Sequence, residues 1–237
     1  MKLALAIETP EVPRRIPVAL LSGTLKDKLS KASAWGADGV ELMTVDPGVL
    51  NPEEIRSELA QNHLYPCAVA SGGIGSITGR TLLHSDTIIA KEARDKLRDL
   101  VLFAAKIGAP LVTIGSFRGR LSNVSGDGKA LLKTILASGA DYAADNHVRM
   151  VLEPLNRYET DILQNAEETL DFIREVDHPA LGMLLDTYHM NIEEKSWEGT
   201  FQMAMQAGRL WHIHIGDNNR LPPGCGMIPF RKIVESL

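Results

Sequence analysis

Chemically capable side chains stand at the ends of successive apolar runs in the second half of this chain. Glu153 follows Val148–Leu152, Asp186 follows Leu181–Leu185, and the run Leu210–Ile215 carries His212 and His214. Two carboxylates and an imidazole make a hard-to-borderline donor set. Such a set suits Mn²⁺, Mg²⁺ or Co²⁺ better than a thiolate-loving metal. Any one of these residues alone could be a helix-capping acid or a satisfied core histidine. At three neighbouring strand ends they are read as one site, because acids gathered at a buried mouth without a counter-charge are too costly to be filler.

The elements that must position them are legible from spacing. Strand-like runs occur at Leu3–Ile7, Gly39–Met43, Tyr65–Ala70, Leu111–Ile114 and the three above. Amphipathic segments separate them. In Lys91–Ile107 the residues Ala93, Leu97, Leu100, Val101, Ala104 and Ile107 mark one helix face, and Gly108 with Pro110 stops it. Asn51 before Pro52, Glu53 and Glu54 predicts a capped helix start, as does Asn165 before Glu167 and Glu168; Thr24 caps the helix ending near Gly36. Regular strand–helix alternation predicts parallel strands joined by right-handed crossovers. The fold class is therefore α/β, a (β/α)₈-type TIM barrel forming a single domain over residues 1–237. Only seven strands are readable. Pro229–Leu237 reads as the helix after the seventh, so the barrel is expected to be incomplete at its C-terminal end, with its eighth strand missing.

Composition narrows the partners. A net charge of −5 disfavours general nucleic-acid binding, and no apolar run is long enough for a membrane span. Cys67 and Cys225 form no paired motif, so a reducing cytoplasm is the expected setting, with Cys67 a buried small hydrophobe. No GxGxxG follows the first strand, and Ser71–Gly75 lacks the lysine of a phosphate loop, so it reads as a flexible βα loop.

Other residues near the expected mouth carry weaker readings. Arg118 and Arg120, after the fourth strand, could grip a substrate carboxylate or phosphate. Glu41 is expected to hold a buried salt bridge under the site, and Glu8 could face substrate or solvent. His212 is expected to point away from His214.

Three longer segments resemble a known family. They are Val151-Leu-Glu-Pro-Leu-Asn-Arg-Tyr-Glu159, Leu185-Asp-Thr-Tyr-His-Met-Asn-Ile-Glu193 and the run from Trp211 to Gly224. They resemble the ketose 3-epimerases of the xylose-isomerase-like barrel superfamily, such as the D-tagatose and D-psicose 3-epimerases. Ile114–Arg120 and the opening strand look more like the branch acting on keto-acid sugars such as 5-keto-L-gluconate. The resemblance implies a catalytic, metal-ligating Glu153, with Asp186 and His214 as further ligands. It selects His214 over His212. It implies that Glu159, His189 and Arg220 touch the substrate or hold the site in place. One divalent ion, Mn²⁺ first with Mg²⁺ or Co²⁺ as alternatives, would support epimerisation of a ketose at C3 through a metal-bound enediolate. The pattern includes a second catalytic Glu at the end of an eighth strand, which is not present in the sequence. The resemblance also implies a small-molecule sugar substrate and a dimer or tetramer.

Three other functions use the same barrel differently. An aldose–ketose isomerase of the hydroxypyruvate isomerase type would move the proton between adjacent carbons. A metal-dependent endonuclease would need more histidine and acid ligands and a basic face. A non-catalytic sugar-binding protein would fit a barrel without its eighth strand.

Overall fold

The structure is a computed structural model describing residues 2–235 and 237. Among the described residues, seven parallel strands form one sheet in sequential order: β1 (Ala4–Glu8), β2 (Gly39–Met43), β3 (Tyr65–Ala70), β4 (Leu111–Ile114), β5 (Arg149–Leu152), β6 (Leu181–Asp186) and β7 (Leu210–His214). Every adjacent pair is parallel. The sheet curls into a barrel-type arrangement, as the alternation predicts, so side chains from β2 and β7 meet across its interior.

The crossover helices are α1 (Leu25–Ala34), α2 (Pro52–Gln61), α3 (Thr87–Ile107), α4 (Gly128–Asp145), α5 (Ala166–Val176), α6 (Thr187–Glu193) and α7 (Trp197–Gln206); α8 (Phe230–Glu235) follows β7. Ser236, inside the helix predicted over Pro229–Leu237, lies outside the described residues. The predicted caps are in place. Thr24 and Asp27 form a reciprocal capping box on α1, Asn51 accepts from Glu53 and Glu54, and Asn165 accepts from Glu168. Gly108 ends α3 at φ 82°, a left-handed conformation that glycine adopts without a Cβ penalty. α3 starts four residues earlier than its apolar face suggests, because Asp86 caps it. The flexible loop expected over Ser71–Gly75 runs into one helical turn, Ile74–Thr78.

Two apolar layers hold this arrangement. Outward strand residues such as Val40, Val112, Leu152 and Leu185 pack against the helices in one continuous core. Inward residues Cys67, Leu111, Val151 and Leu184 form a second cluster inside the sheet, with Tyr65 and Trp211 packed against it. This division follows from the two-residue period of a strand. It leaves the C-terminal strand ends as the place where polar groups can gather.

Candidate metal and sugar site

Glu153 and Asp186 converge at the C-terminal ends of β5 and β6. Each offers a carboxylate oxygen that lies, with a ring nitrogen of His189, within 4.8 Å of the others. Among the described residues no Lys or Arg side chain pairs with either carboxylate. Asp186 accepts one bond, from the Tyr188 N–H, as the cap of α6. Burial and the adjacent Glu153 carboxylate push the Asp186 carboxyl above its ordinary range. Burial also pushes Glu153 up, but contact with His214 more than offsets it and the net direction is down.

His214 Nδ1 lies 3.3 Å from Glu153 Oε1, while its Nε2 lies 3.0 Å from Glu41 Oε2. Burial opposes a charge on this ring, yet Glu41 and Glu153 raise its pKa well above the ordinary histidine value. His212 also meets Glu41, Nε2 to Oε2 at 2.7 Å, and the two imidazole rings are 5.1 Å apart edge-on. The expectation that His212 points away from His214 is corrected here. Residues two apart on a strand share a face, so both rings point inward. The buried ion pair expected of Glu41 is present, and both its partners are histidines.

The sequence-predicted trio Glu153, Asp186 and His214 is therefore only partly the compact one. His189, on α6, takes the third place near the two carboxylates. Its Nδ1 accepts from the Asn156 backbone N–H at 3.1 Å, with the Asn156 side-chain amide nitrogen 2.8 Å away. A neutral imidazole that accepts at Nδ1 carries its proton on Nε2, a tautomer assigned from this hydrogen bond.

Glu159 and Arg220 form an ion pair, and the Arg220 guanidinium stacks 3.8 Å from the centroid of the Tyr188 ring. Asn156 Nδ2 also donates to Glu159 Oε1 at 3.2 Å. The structure thus links Glu153, Asn156, Glu159, His189 and Arg220 through one contact chain. Asn156 was not singled out from sequence; its place three residues after Glu153 is the only signal.

Arg118 and Arg120 are placed differently from the expectation of a carboxylate grip. Arg118 is fully buried, and its terminal nitrogens donate to four backbone carbonyls. These are Gly115 at 3.1 Å, Glu153 at 2.8 Å, Ile162 at 3.0 Å and Leu163 at 3.2 Å. Burial pulls its guanidinium down to about 10, against the opposing pull of Glu153, Glu168 and Asp161. Arg120 is exposed and donates to the Tyr158 carbonyl at 3.2 Å. Both tie the segment after β4 to the loop after β5. Arg118 clamps that loop at its two ends, and the loop carries Glu153, Asn156 and Glu159. Glu8 pairs with buried Lys28 at 3.0 Å and holds the loop after β1 through the Ile16 N–H.

Gly115 is a further residue that sequence reading missed. A methyl group placed there would lie 2.5 Å from Glu153 Oε2. Only glycine leaves the carboxylate its seat.

The donor chemistry fits a divalent cation. A half-buried and a buried carboxylate without a Lys or Arg partner have an imidazole beside them whose far nitrogen is held by another carboxylate, a common outer arrangement around metal-bound histidine.

Comparison with known proteins gives the family and the fold. The family profile described as xylose isomerase-like TIM barrel matches residues 29–237. A ketose 3-epimerase of Arthrobacter globiformis is 29% identical over 216 residues, 90% of this chain and 73% of that protein. An L-ribulose 3-epimerase of Methylomonas sp. (strain DH-1) is 32% identical over 216 residues, 88% of this chain and 72% of that protein. The crystal structure of a D-psicose 3-epimerase with D-tagatose, from Clostridium cellulolyticum H10, matches with a TM-score of 0.81 at 26% identity, covering 100% of this chain and 80% of that one. The chain belongs to the xylose isomerase-like TIM barrel family, and the relatives it matches there are isomerase-class sugar epimerases.

Proposed function

We propose that this protein is a divalent-metal-dependent epimerase inverting a ketose, or a keto-acid sugar, at C3. The observation that carries the reading is the convergence of half-buried Glu153 and buried Asp186, unpaired by Lys or Arg, and flanked by His214 and His189. Glu153, Asp186 and His214 would hold the ion. His214 is preferred to His189 because His189 Nδ1 is already taken by Asn156, which leaves an Nε2–H suited to donating to a sugar oxygen. His214 instead presents Nδ1 toward Glu153 while Glu41 holds Nε2. The mainly oxygen donor set favours Mn²⁺, with Mg²⁺ or Co²⁺ as substitutes.

When bound, the ion supplies Lewis acidity that polarises the sugar carbonyl and makes the neighbouring C–H removable. Glu153 takes the C3 proton, which general base catalysis requires to lie within hydrogen-bond reach. His189 donates toward a substrate oxygen, and Arg220, aligned by Glu159 and by the Tyr188 ring, stabilises negative charge developing on oxygen. Inversion needs proton return on the opposite face; among the described residues no group is assigned that role.

The test separates proton abstraction from inversion. The protein is incubated with Mn²⁺ and D-psicose or L-ribulose in D₂O, and deuterium is located by NMR. Deuterium at C3, abolished by chelation and by Glu153→Gln, supports the reading. Deuterium only at C1 would assign an aldose–ketose isomerase, and no exchange at either carbon would overturn the proposal.

A further inference from the structure

One layer below the mouth lies a second group of metal-ligating side chains to which the proposed reaction gives no ligand role. Glu41 on β2, Cys67 on β3 and His212 on β7 each offer an atom within 4.8 Å of the other two. They come from three strands and share the curled sheet's interior, so the sheet itself holds them together. Glu41 and Cys67 are buried and His212 is half-buried. Leu111, Val151 and Leu184 form an apolar cluster with Cys67 inside the sheet. The only ion-pair partners of Glu41 among the described residues are the two imidazoles.

The geometry points to a second cation site, Glu41–Cys67–His212, selective for a thiophilic dication such as Zn²⁺ or Cd²⁺. The donor set decides the selectivity. The upper group offers two carboxylates and an imidazole, whereas this one offers one oxygen, one nitrogen and one sulfur. A thiolate favours zinc-like ions over Mg²⁺ or Mn²⁺. Burial and the nearby Glu41 carboxylate push the Cys67 thiol up, so without an ion it stays protonated and inert. Binding forms the sulfur–metal bond as the thiol proton leaves to solvent, since a coordinating thiol is deprotonated outright.

The two layers share a residue. Glu41 is the partner of His214 Nε2 at 3.0 Å and of His212 Nε2 at 2.7 Å. An ion that draws Glu41 onto Cys67 and His212 withdraws it from His214. The lower site is then an inhibitory one, acting on the upper site by removing the support of a ligand, without entering the mouth.

Cadmium titration of the full chain tests this, read by the ultraviolet thiolate-to-cadmium band with Mg²⁺ in excess to occupy oxygen-rich sites. The expected result is a band saturating at one Cd²⁺ per chain, lost in Cys67→Ser and Cys67→Ala and retained in Cys225→Ser. Circular dichroism checks that the variants fold. No band in the wild type, or a band that survives both Cys67 changes and disappears in Cys225→Ser, would overturn the site. The readout needs no sugar and no turnover, so it stands or falls apart from the epimerase reading. Where C3 exchange is observed, Cd²⁺ should suppress it in the wild type at concentrations that leave Cys67→Ser active; equal suppression in both would overturn the inhibitory role.

Discussion

Glu41 and His214, 173 residues apart in sequence, meet across the interior of the curled sheet with Nε2 3.0 Å from Oε2. β2 and β7 are not neighbours in the sheet, so this contact exists only because the strands curl. A carboxylate on the far nitrogen of a ligating imidazole fixes its tautomer and raises its basicity. Glu41→Gln keeps the shape and removes the charge. The expected outcome is a loss of about 10–100-fold in Mn²⁺ affinity, measured by calorimetry or by the spin-resonance signal of free Mn²⁺. Unchanged affinity would mean that Glu41 serves packing alone.

Arg118 gives a prediction opposite to a substrate-gripping role. Arg118→Met strips a donor from four backbone carbonyls, three of them at the two ends of the loop after β5. Gly115, Ile162 and Leu163 keep other donors, namely the Arg118 N–H, the Thr160 hydroxyl and the Leu155 N–H, so the Glu153 carbonyl is the one left unmet and a loss of about 1–3 kcal/mol is expected in denaturant unfolding. Turnover of neutral and acidic sugars should fall by the same factor. A loss confined to acidic sugars would restore the carboxylate grip.

Gly115→Ala tests how tightly the base is seated. The added methyl would sit 2.5 Å from Glu153 Oε2, and the carboxylate has to move. A displacement of an ångström at the reacting group can cost about 100-fold in rate. kcat should fall by about 10–100-fold, while far-ultraviolet circular dichroism is unchanged. Wild-type kcat in this variant would show that the Glu153 carboxylate does not need its present position.

Asp217 organises the loop that presents Arg220. Its carboxylate accepts from the N–H groups of Asn218, Gly224, Gly226 and Ile228, at 2.9, 3.0, 2.7 and 3.1 Å. Arg220 sits in this loop at φ 63°, and its N–H donates to the Asp217 carbonyl. Burial pushes the Asp217 carboxyl up, but the four donors more than offset it and hold it below the usual range. A depressed carboxyl contributes stability above its ordinary pKa of about 3.8 and loses it as pH falls through the depressed value. Asp217→Asn should therefore unfold at lower temperature than the wild type at pH 7, with the gap closing below about pH 4. A gap that persists into acid would place the effect elsewhere.

Much of this protein was legible from residue order. The parallel α/β architecture followed from alternating apolar runs, and the caps at Thr24, Asn51 and Asn165 followed from local side-chain-to-backbone bonds that need no tertiary partner. The placement of Glu153 and Asp186 at strand ends followed too, because strand direction and period are local properties. What only the tertiary structure decided is which distant groups meet. Arg118 resembles a surface cation in sequence, yet the loop after β5 folds over it and takes three of its four terminal hydrogen bonds. Glu41 reads as one acid in an apolar strand, yet strand curvature places it against two histidines. His189 reaches the carboxylates from α6, with its ring held by Asn156. Sequence spacing encodes direction along an element, whereas these contacts depend on the relative placement of elements, which the summed packing of the whole core sets.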